Sequence, residues 1–385
     1  MPDSVPPARG PVLRAAVPQT DPGAAYAAQR HAIDAAIAGV LRSGVYVLGE
    51  NVAAFEAEFA CWLGARATVG VASGTDAVHL ALTACGIGPG MAVATVSHTA
   101  IATIAAIELA GAVPLLLDIE PDGYGLDPAE LAEVLANPPA GIPPVRAVLP
   151  VHLYGQAADM HAILPVCAAR GVPVIEDASQ AHGATVGGRR VGTLGQAAAF
   201  SFYPTKNLAA MGDGGAVATQ DPMVAARLLR LRQYGWNHDR VCQEPGLNSR
   251  LDELQAAILR VRLPLLDGGN ARRNAIAATY DAALSGAGIR PPQRRAGCSH
   301  VFHLYVVRTP DRAHLRARLR GRGIVTGIHY NPPAHLHPAY AGRVALGPGL
   351  CRRTEAAAAE VLSLPIFPDM TDDQVDSVAD ALRLP

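Results

Sequence analysis

The residue that could do the most distinctive chemistry is a single lysine. The stretch FSFYPTKNLAAMGDGGAVAT contains Lys206, and the rest of the 385-residue sequence contains no other lysine. Since lysine and arginine together number 32, the remaining 31 (32 minus one) are arginine. An amine can lose its proton and form an imine with a carbonyl, whereas a guanidinium stays protonated. The composition therefore indicates either a site that requires a primary amine or a surface lysine that persisted by chance.

Asp177 is the carboxylate that could pair with a cofactor held by this lysine. A stable imine on a catalytic amine suggests pyridoxal phosphate, whose ring nitrogen needs an anionic partner. Asp177 ends the apolar run of VIEDASQAHGA, where a partly buried carboxylate needs a cationic partner. A helix cap or a structural ion pair is the alternative interpretation, and it suits the neighbouring Glu176 better than Asp177. We therefore take Asp177 as the candidate partner of a pyridinium nitrogen.

A helix start and a nearby serine could bind the phosphate of such a cofactor. The segment ASGTDA places Ser73, Gly74 and Thr75 where a helix begins, so that free backbone N–H groups and a hydroxyl would form an anion site. Ordinary capping of the helix by Ser73 or Thr75 is the alternative interpretation. Ser201 precedes Lys206 by five residues on the same strand-to-loop segment, and could add a second hydroxyl.

The elements that must position these residues alternate along the chain. Apolar strand-like runs (MAVATVS, AVPLLLDIE, VPVIEDASQ) are separated by amphipathic helical patterns (TDAVHLALTACGIG, DMHAILPVCAARG). This alternation predicts an α/β fold of three αβα layers, with a mostly parallel sheet covered on both faces. Ligands of such sheets bind beyond the carboxyl ends of the strands, which is where Asp177 and Ser201 fall.

The organisation of the chain predicts a tail and two domains. Residues 1–20 are proline-rich and lack an apolar signal-peptide core, so we expect a flexible tail. Residues 21–265 would form the large cofactor-binding domain, including an N-terminal helical segment. After Pro291 the rhythm of strands and helices changes, and residues 266–385 are expected to form a smaller α+β C-terminal domain.

Bulk properties exclude several classes of function. A net charge of −1 and a pI near 6.9 provide no basic field for nucleic acid or an anionic membrane. No uncharged apolar run reaches about 18 residues, so no membrane span is expected. The six cysteines contain no C-x-x-C pair and are expected to be buried free thiols. Together these features predict a cytoplasmic protein.

Three histidines in the segment IHYNPPAHLHPAY invite a metal interpretation. Two prolines break any helical pairing of His329, His335 and His337, and no cysteine or carboxylate stands at ligand spacing. We expect no metal site here, and interpret the segment as a loop at the rim of the active site.

With these motifs in place, the sequence resembles the DegT/StrS family of pyridoxal-phosphate-dependent sugar aminotransferases, which have the aspartate aminotransferase fold (fold type I). The resemblance covers nearly the whole chain from about residue 21. It is carried by GVYVLGENVAAFEAEFA, VASGTDAVHLAL, PVHLYGQAADM, the segment from Glu176 to Lys206, GLNSRLDELQAAIL and VLSLPIFPDMTDDQVD. The segment from Glu176 to Lys206 is the most specific of these.

The resemblance implies roles for individual residues. Lys206 would hold the cofactor as an internal aldimine and move protons, and Asp177 would pair with the pyridinium nitrogen. Gln180 would lie against the cofactor ring or its 3-hydroxyl. The phosphate would be bound by Gly74, Thr75 and Ser201, and by Asn248 of a neighbouring subunit, so a homodimer with a shared active site is implied.

One position departs from the family pattern. Family members often carry an aromatic residue that stacks on the cofactor ring where this chain has Ala100 in the motif SHTA. His98 is the residue nearby that could take over part of this role.

The implied reaction is transfer of an amino group from L-glutamate or L-glutamine to a 3-keto or 4-keto deoxy-sugar linked to a nucleotide. A keto-cyclitol aminotransferase would keep the same lysine and aspartate. A non-catalytic regulatory member of the fold is a third interpretation, and it predicts decay of the cofactor-binding residues.

Overall fold

The computed structural model describes residues 17–383 of the chain. The first sixteen residues of the expected tail, 1–16, lie outside the described residues. At the start of the described chain, Val17 is buried and its backbone pairs with Ile324.

The α-helices of the described chain are α1 (Pro22–Ser43), α2 (Glu50–Leu63), α3 (Gly74–Ala84), α4 (Ile101–Leu109), α5 (Pro128–Ala136), α6 (Met160–Ala168), α7 (Pro222–Leu231), α8 (Glu253–Arg262), α9 (Leu266–Leu284), α10 (Arg312–Gly321), α11 (Arg352–Glu360) and α12 (Asp372–Arg383). Short 3₁₀ turns occupy Leu153–Gly155, Leu263–Leu265 and Ala334–Leu336.

The strands of the described chain are β1 (Ala67–Val71), β2 (Ala92–Val96), β3 (Val113–Leu117), β4 (Val145–Val148), β5 (Ile175–Asp177), β6 (Thr185–Val186), β7 (Arg189–Arg190), β8 (Ala197–Ser201), β9 (Gly215–Thr219), β10 (Tyr305–Arg308), β11 (Ala345–Leu346) and β12 (Val361–Leu364).

The large sheet is mostly parallel, as the sequence predicts. One set of strands is ordered β1-β9-β8-β5 and another β11-β3-β2-β4. Parallel bridges from Val148 to Val174 and from Val151 to Asp177 join the two sets beside β4 and β5. Within these sets β9 runs antiparallel to its neighbours, while the other recorded pairings are parallel. The chain therefore reverses between β8 and β9, and Lys206 lies in that connection.

The strands are buried on both faces because the sheet is covered by helices on each side. Along β8, Ala198 and Phe200 belong to one apolar core, whereas Ala197 and Ala199 belong to the core on the opposite side. Successive side chains of a strand point to opposite faces, so an all-apolar strand must meet two cores. This is the physical reason that the continuous apolar run predicts a three-layer arrangement.

The helices begin and end at local sequence signals. Asp127 precedes Pro128 and its carboxylate accepts a hydrogen bond from the backbone N–H of Ala129 (2.9 Å), so that α5 starts there. At the C-terminal end of α2, Gly64 adopts a φ of 81°, a left-handed conformation that glycine adopts readily and that ends the helix.

A second apolar core gathers the C-terminal elements. Strands β10 and β12 pair antiparallel, and α9, α10 and α12 contribute its buried side chains. The segment between them returns to the large sheet, where β11 pairs parallel with β3. This return carries the histidine-containing loop to the carboxyl end of the large sheet.

Within residues 17–383, no helix is both long and apolar enough to cross a membrane. The six cysteines are free, as expected, but the expectation that they are buried is wrong for most of them. Cys167 and Cys351 are buried, Cys85 and Cys298 are half-buried, and Cys61 and Cys242 are exposed.

Candidate active site

A cavity of about 220 Å³ lies at the carboxyl ends of β5 and β8, next to the start of α3. Six of the eight predicted site residues line it: Gly74, Thr75, Asp177, Gln180, Ser201 and Lys206. These residues come from three separate parts of the chain. The fold brings them together because Asp177 and Ser201 are the last residues of adjacent parallel strands, β5 and β8.

Lys206 is the amine of this cavity. Its backbone N–H donates to the carbonyl of Tyr203 (2.8 Å), which closes the turn that follows β8. Burial lowers the pKa of the Lys206 amine to about 8, although the negative charge of Asp177 acts in the opposite direction. Among residues 17–383, no hydrogen-bond or ion-pair partner contacts the amine. It is therefore an amine that loses its proton more readily than an exposed lysine and is available to a ligand.

Asp177 faces the cavity with few partners. Thr103 Oγ1 donates to its Oδ2 (2.8 Å), and the backbone N–H of Ser179 donates to its Oδ1 (3.2 Å). The residue is 5% exposed, and none of the described lysines, arginines or histidines forms an ion pair with it. A buried carboxylate without a cation is energetically unfavourable unless a ligand completes its surroundings. Asp177 therefore has both the position and the open acceptor capacity to receive a protonated ring nitrogen.

Glu176 has the structural role that the sequence suggested as the alternative. Its carboxylate accepts hydrogen bonds from the backbone N–H groups of Gly192, Leu194 and Gly195 (2.8 Å each) and from His152 Nε2 (2.9 Å). Burial alone would raise the pKa of Glu176, but these donors outweigh it and hold that pKa below its ordinary value. The side chain fastens the turn before β8 to β5.

The start of α3 forms a cup that fits a phosphate. Ser73 caps the helix by accepting from the N–H of Asp76 (3.1 Å), so one alternative from the sequence holds for Ser73. The N–H groups of Gly74 and Thr75 belong to the first turn and have no acceptor within the helix. A Cβ on Gly74 would lie 2.5 Å from the Cβ of Ser201. Glycine is therefore required for this helix start to approach the end of β8.

Gln180 is held at the cavity by two hydrogen bonds from its amide. Its Oε1 accepts from the backbone N–H of Tyr154 (2.8 Å), and its Nε2 donates to the hydroxyl of Tyr330 (2.8 Å). Tyr330 belongs to the histidine-containing loop, which therefore does reach the rim of the site. Burial lowers the pKa of the adjacent His329, and the charge of Lys206 contributes to the same shift.

Two predicted residues do not line the cavity. His98 is fully buried, its Nε2 is 2.7 Å from the Tyr154 hydroxyl, and its ring stacks on Tyr124 with centroids 5.3 Å apart. The geometry gives no support to a stacking role for His98. Burial lowers its pKa to about 3, so it is a neutral core histidine. Asn248 is exposed and is likewise absent from the cavity of its own chain.

At Ala100, the position where the resemblance implies an aromatic residue in many family members, this chain provides only a methyl group. Ala100 itself lines the cavity. Among the described residues that line this cavity, Tyr203 is the sole aromatic one, and 51% of its surface is exposed.

Sequence reasoning missed two residues that contact the site. Thr103 stands on α4, four positions after Thr99, and the hydroxyls of the two are 2.9 Å apart. A pair of threonines at helical spacing directly after a strand end was the available signal. Tyr330 is separated from Gln180 by 150 residues, and no local pattern could have connected them.

In the histidine-containing loop, both ring nitrogens of His335 have hydrogen-bond partners, and we call the group of Ser97, His335 and Glu355 the latch. His335 lies between Ser97 Oγ (Nδ1, 2.7 Å) and Glu355 Oε1 (Nε2, 3.0 Å). The described residues contain no group of three or more histidine, cysteine or carboxylate side chains placed to bind a metal ion.

The donor set fits pyridoxal phosphate. The cavity offers one amine of lowered pKa, one carboxylate without a cation, and a helix start whose glycine keeps it close to a serine hydroxyl. These groups correspond to the aldehyde, the ring nitrogen and the phosphate of that cofactor.

The fold and this cavity define a class of aminotransferase. The model of the DegT/DnrJ/EryC1/StrS aminotransferase family matches residues 28–383, and the chain belongs to that family. The predictions of the family, of the α/β fold and of an aminotransferase as the enzyme class are thereby confirmed.

Two curated relatives are similar over nearly their full length. A Streptomyces venezuelae protein named dTDP-3-amino-3,4,6-trideoxy-alpha-D-glucose transaminase is 48% identical, over 95% of this chain and 95% of its own. A Saccharopolyspora erythraea protein named erythromycin biosynthesis sensory transduction protein EryC1 is 45% identical, over 95% of this chain and 99% of its own.

Solved structures show the same architecture. The structure of S. venezuelae DesV in complex with a ketimine intermediate superposes with a TM-score of 0.90 at 48% identity, over 95% of this chain and 97% of that one. The Bacillus subtilis NtdA structure with bound cofactor PMP has a TM-score of 0.82 at 30% identity, over 92% and 81% of the two chains.

Proposed function

We propose that this protein is a pyridoxal-phosphate-dependent aminotransferase that transfers an amino group from L-glutamate or L-glutamine to a keto-sugar linked to a nucleotide. The observation that carries the proposal is the meeting of Lys206 and Asp177 in one cavity beside the helix start at Gly74. When bound, the cofactor supplies an electron sink for the substrate carbon that loses or gains a proton.

The residues of the chain would divide the work as follows. The Lys206 amine would hold the cofactor covalently, and when free it would be the group of this chain that accepts the α-proton of the donor. A pKa of about 8 suits this role, because a general base works best when its pKa lies near the operating pH. Asp177 keeps the ring nitrogen protonated, and Gln180 lies beside the ring or its 3-hydroxyl. Gly74, Thr75 and Ser201 bind the phosphate.

The names of relatives support a sugar substrate aminated at carbon 3. The S. venezuelae relative is named for a 3-amino sugar linked to dTDP, and it is nearly half identical to this chain. We therefore propose a nucleotide-linked 3-keto sugar as the preferred acceptor of this chain. The 4-keto sugars are the next class to test.

A homodimer with a shared active site is the proposed assembly. Asn248 is exposed on the segment that leads into α8. The strip Val45–Val47 is also exposed, and its backbone pairs with the same segment through Val47 and Asp252. An exposed apolar strip beside an exposed asparagine supports a surface on which a second copy places Asn248 against the phosphate of its neighbour.

Cofactor binding is the first test of the mechanism. Purified protein should develop a visible absorbance band with pyridoxal phosphate, and borohydride should fix the cofactor on the peptide that contains Lys206. Lys206→Arg keeps the charge but cannot form the imine, so it should lose the covalent adduct and more than about 10³-fold of turnover. Wild-type protein that binds no cofactor would refute the proposal.

The acceptor is tested with glutamate and a panel of nucleotide-linked 3-keto and 4-keto sugars, together with a keto-cyclitol. Amino-sugar formation from a 3-keto sugar is expected. Turnover of the keto-cyclitol with no reaction of any sugar would replace the sugar assignment with the aminocyclitol alternative.

A regulatory function is the second candidate, because the relative EryC1 is named for sensory transduction. The intact set of Lys206, Asp177 and the phosphate cup argues against it, since a protein without catalysis has no need of a reactive amine. If the protein binds the cofactor but aminates none of the acceptors, the regulatory candidate would be favoured.

The shared site can be tested by mixing subunits. Lys206→Arg and Asn248→Asp should each be impaired alone, whereas a mixture that exchanges subunits should recover activity. In a mixed dimer one site combines an intact lysine with an intact asparagine from the other chain. If each variant is impaired alone and verified mixed dimers recover no activity, Asn248 acts within its own subunit; if Asn248→Asp is not impaired alone, Asn248 has no role at the site.

A further inference from the structure

The Thr103 hydroxyl, in the first turn of α4, makes a hydrogen bond to a residue that is distant in the sequence. Threonine hydroxyls within helices commonly bond to the carbonyl four residues earlier, as Thr83 does with His79 (2.9 Å) in α3. Thr103 instead donates to Asp177 Oδ2 at 2.8 Å, across 74 residues of sequence. The hydroxyl is therefore committed to the carboxylate and not to its own helix.

A second hydroxyl fixes the direction of this bond. Thr99 Oγ1 lies 2.9 Å from Thr103 Oγ1, and all three side chains are nearly inaccessible to water. Each hydroxyl has one hydrogen, so if Thr103 donates to Asp177, the Thr99 hydroxyl must donate to Thr103. The chain then runs from Thr99 to Thr103 to Asp177, with both hydrogens directed toward the carboxylate. Hydrogen bonds in such a chain polarise one another and stabilise the negative charge at its end.

The Asp177 carboxylate keeps acceptor capacity beside the bond from Thr103. Oδ2 is occupied by Thr103, and Oδ1 accepts a longer bond from the N–H of Ser179 (3.2 Å) within its own turn. An ionised carboxylate can accept about four hydrogen bonds, so capacity remains for a donor in the cavity. Without Thr103 the carboxyl group could rotate about its χ2 torsion, which has a broad energy profile.

We propose that Thr103, backed by Thr99, is a positioning residue that holds the Asp177 carboxylate in the orientation that receives the ring N–H of the cofactor. This inference rests on the proposed function, because it concerns the same cavity. Thr103 itself would not contact the substrate, and its effect would pass through Asp177.

The test compares two cofactors in the full-length protein. Pyridoxal phosphate has the ring nitrogen, whereas its carbocyclic analogue has a carbon atom at that position and cannot engage Asp177. The equilibrium dissociation constant of each is measured by titration of the apo-protein. Wild-type protein should bind pyridoxal phosphate more tightly, and the ratio of the two constants reports the interaction with Asp177.

Thr103→Val keeps the shape of the side chain and removes the hydroxyl. It should reduce the wild-type preference by about tenfold or more, since hydrogen bonds to charged groups contribute on the order of that factor. Thr103→Ser should restore most of the preference, and Thr99→Val should reduce it less. Asp177→Asn sets the lower limit of the ratio.

The matched control is Thr95→Val, which removes another fully buried hydroxyl whose partner is the carbonyl of Leu149 (2.7 Å), away from the cavity. It should leave the ratio unchanged even if it destabilises the protein. A Thr103→Val protein with the full wild-type preference would overturn the inference. Wild-type protein that binds neither compound would instead refute the proposed function, so the two failures are distinguishable.

Discussion

Glu176 and Asp177 are consecutive carboxylates on one strand, yet their surroundings are opposite. Glu176 accepts four hydrogen bonds, three from backbone N–H groups and one from His152. Asp177 accepts two, and its remaining lone pairs face a cavity that also contains an amine. A carboxylate whose acceptor capacity is filled by the protein stabilises the fold, whereas one left partly open is available to a ligand.

The contrast follows from the geometry of a strand. Successive side chains point to opposite faces, so the two carboxylates must enter different environments. Glu176 meets the turn around Gly192–Gly195, whose backbone N–H groups have no partner in the sheet. Asp177 meets the helices α3 and α4, where the start of α3 and the hydroxyl of Thr103 leave room for a cofactor.

The largest expected difference between substitutions of Asp177 and of Glu176 is in catalytic turnover. If the proposed function is right, Asp177→Asn removes the charge that would keep the ring nitrogen of the cofactor protonated, so kcat/KM should fall by about 10²-fold or more. Its free energy of unfolding without cofactor should change by less than about 1 kcal/mol, because no ion pair is broken. Steady-state kinetics and denaturant unfolding measure the two effects. The comparison fails if this variant unfolds while a folded Glu176→Gln protein loses its turnover.

Glu176→Gln should show the opposite profile. An amide can accept at one oxygen only, so some of the N–H groups of the turn lose their acceptor and the free energy of unfolding should fall by about 2–4 kcal/mol. Folded variant protein should keep kcat within severalfold of wild type.

The lowered pKa of Glu176 also predicts how the stability difference between wild type and Glu176→Gln changes with pH. Because the pKa of Glu176 is lowered in the folded protein, its stabilising contribution is present above the unfolded value near 4.5 and is lost as the pH falls through the folded value. The difference between wild type and Glu176→Gln should therefore shrink in acid. Denaturant unfolding at a series of pH values measures this difference. A difference that stays constant with pH would contradict the role assigned to Glu176.

The smallest effect concerns Lys206 in the cofactor-free protein. Its pKa is lowered from 10.5 to about 8 on folding, so between these values the unfolded chain binds more protons and stability rises with pH. Lys206→Met lacks this rise, and the difference in free energy of unfolding between the two proteins should change by up to about 3 kcal/mol across that window, and by less to the extent that solvent screens the amine. The measurement is denaturant unfolding from pH 7 to pH 11.

The carboxylate pair sharpens that measurement. The charge of Asp177 raises the pKa of Lys206, so in Asp177→Asn the window should begin at a lower pH. The same shift in Glu176→Gln would mean that the two carboxylates are not distinguished by their distance from the amine.

Much of the site could be predicted from the sequence because parallel strands end at a common edge. Asp177 and Ser201 end adjacent strands, and Lys206 and Gln180 follow them closely, so the alternation of strands and helices already implied their proximity. His98 follows a strand end too, but its ring enters the core beside Tyr124 and Tyr154. The pattern locates a strand end and does not determine the direction of each side chain beyond it.

Contacts between distant segments could not be predicted from local patterns. Thr103 reaches Asp177, and Tyr330 reaches Gln180, only because α4 and the histidine-containing loop pack against the same edge. For the loop, that packing includes, within the latch, the hydrogen bond between Ser97 and His335, which are 238 residues apart in the chain.

The sequence by itself determined the chemistry: one amine among arginines, a carboxylate at a strand end, and a glycine in a helix start. These are properties of residue type and local spacing, which the chain carries before it folds. The tertiary structure decided which of two adjacent carboxylates would be filled with hydrogen bonds and which left open. That choice depends on which backbone N–H groups and hydroxyls each face of β5 meets, and those groups come from segments that are brought together only by packing.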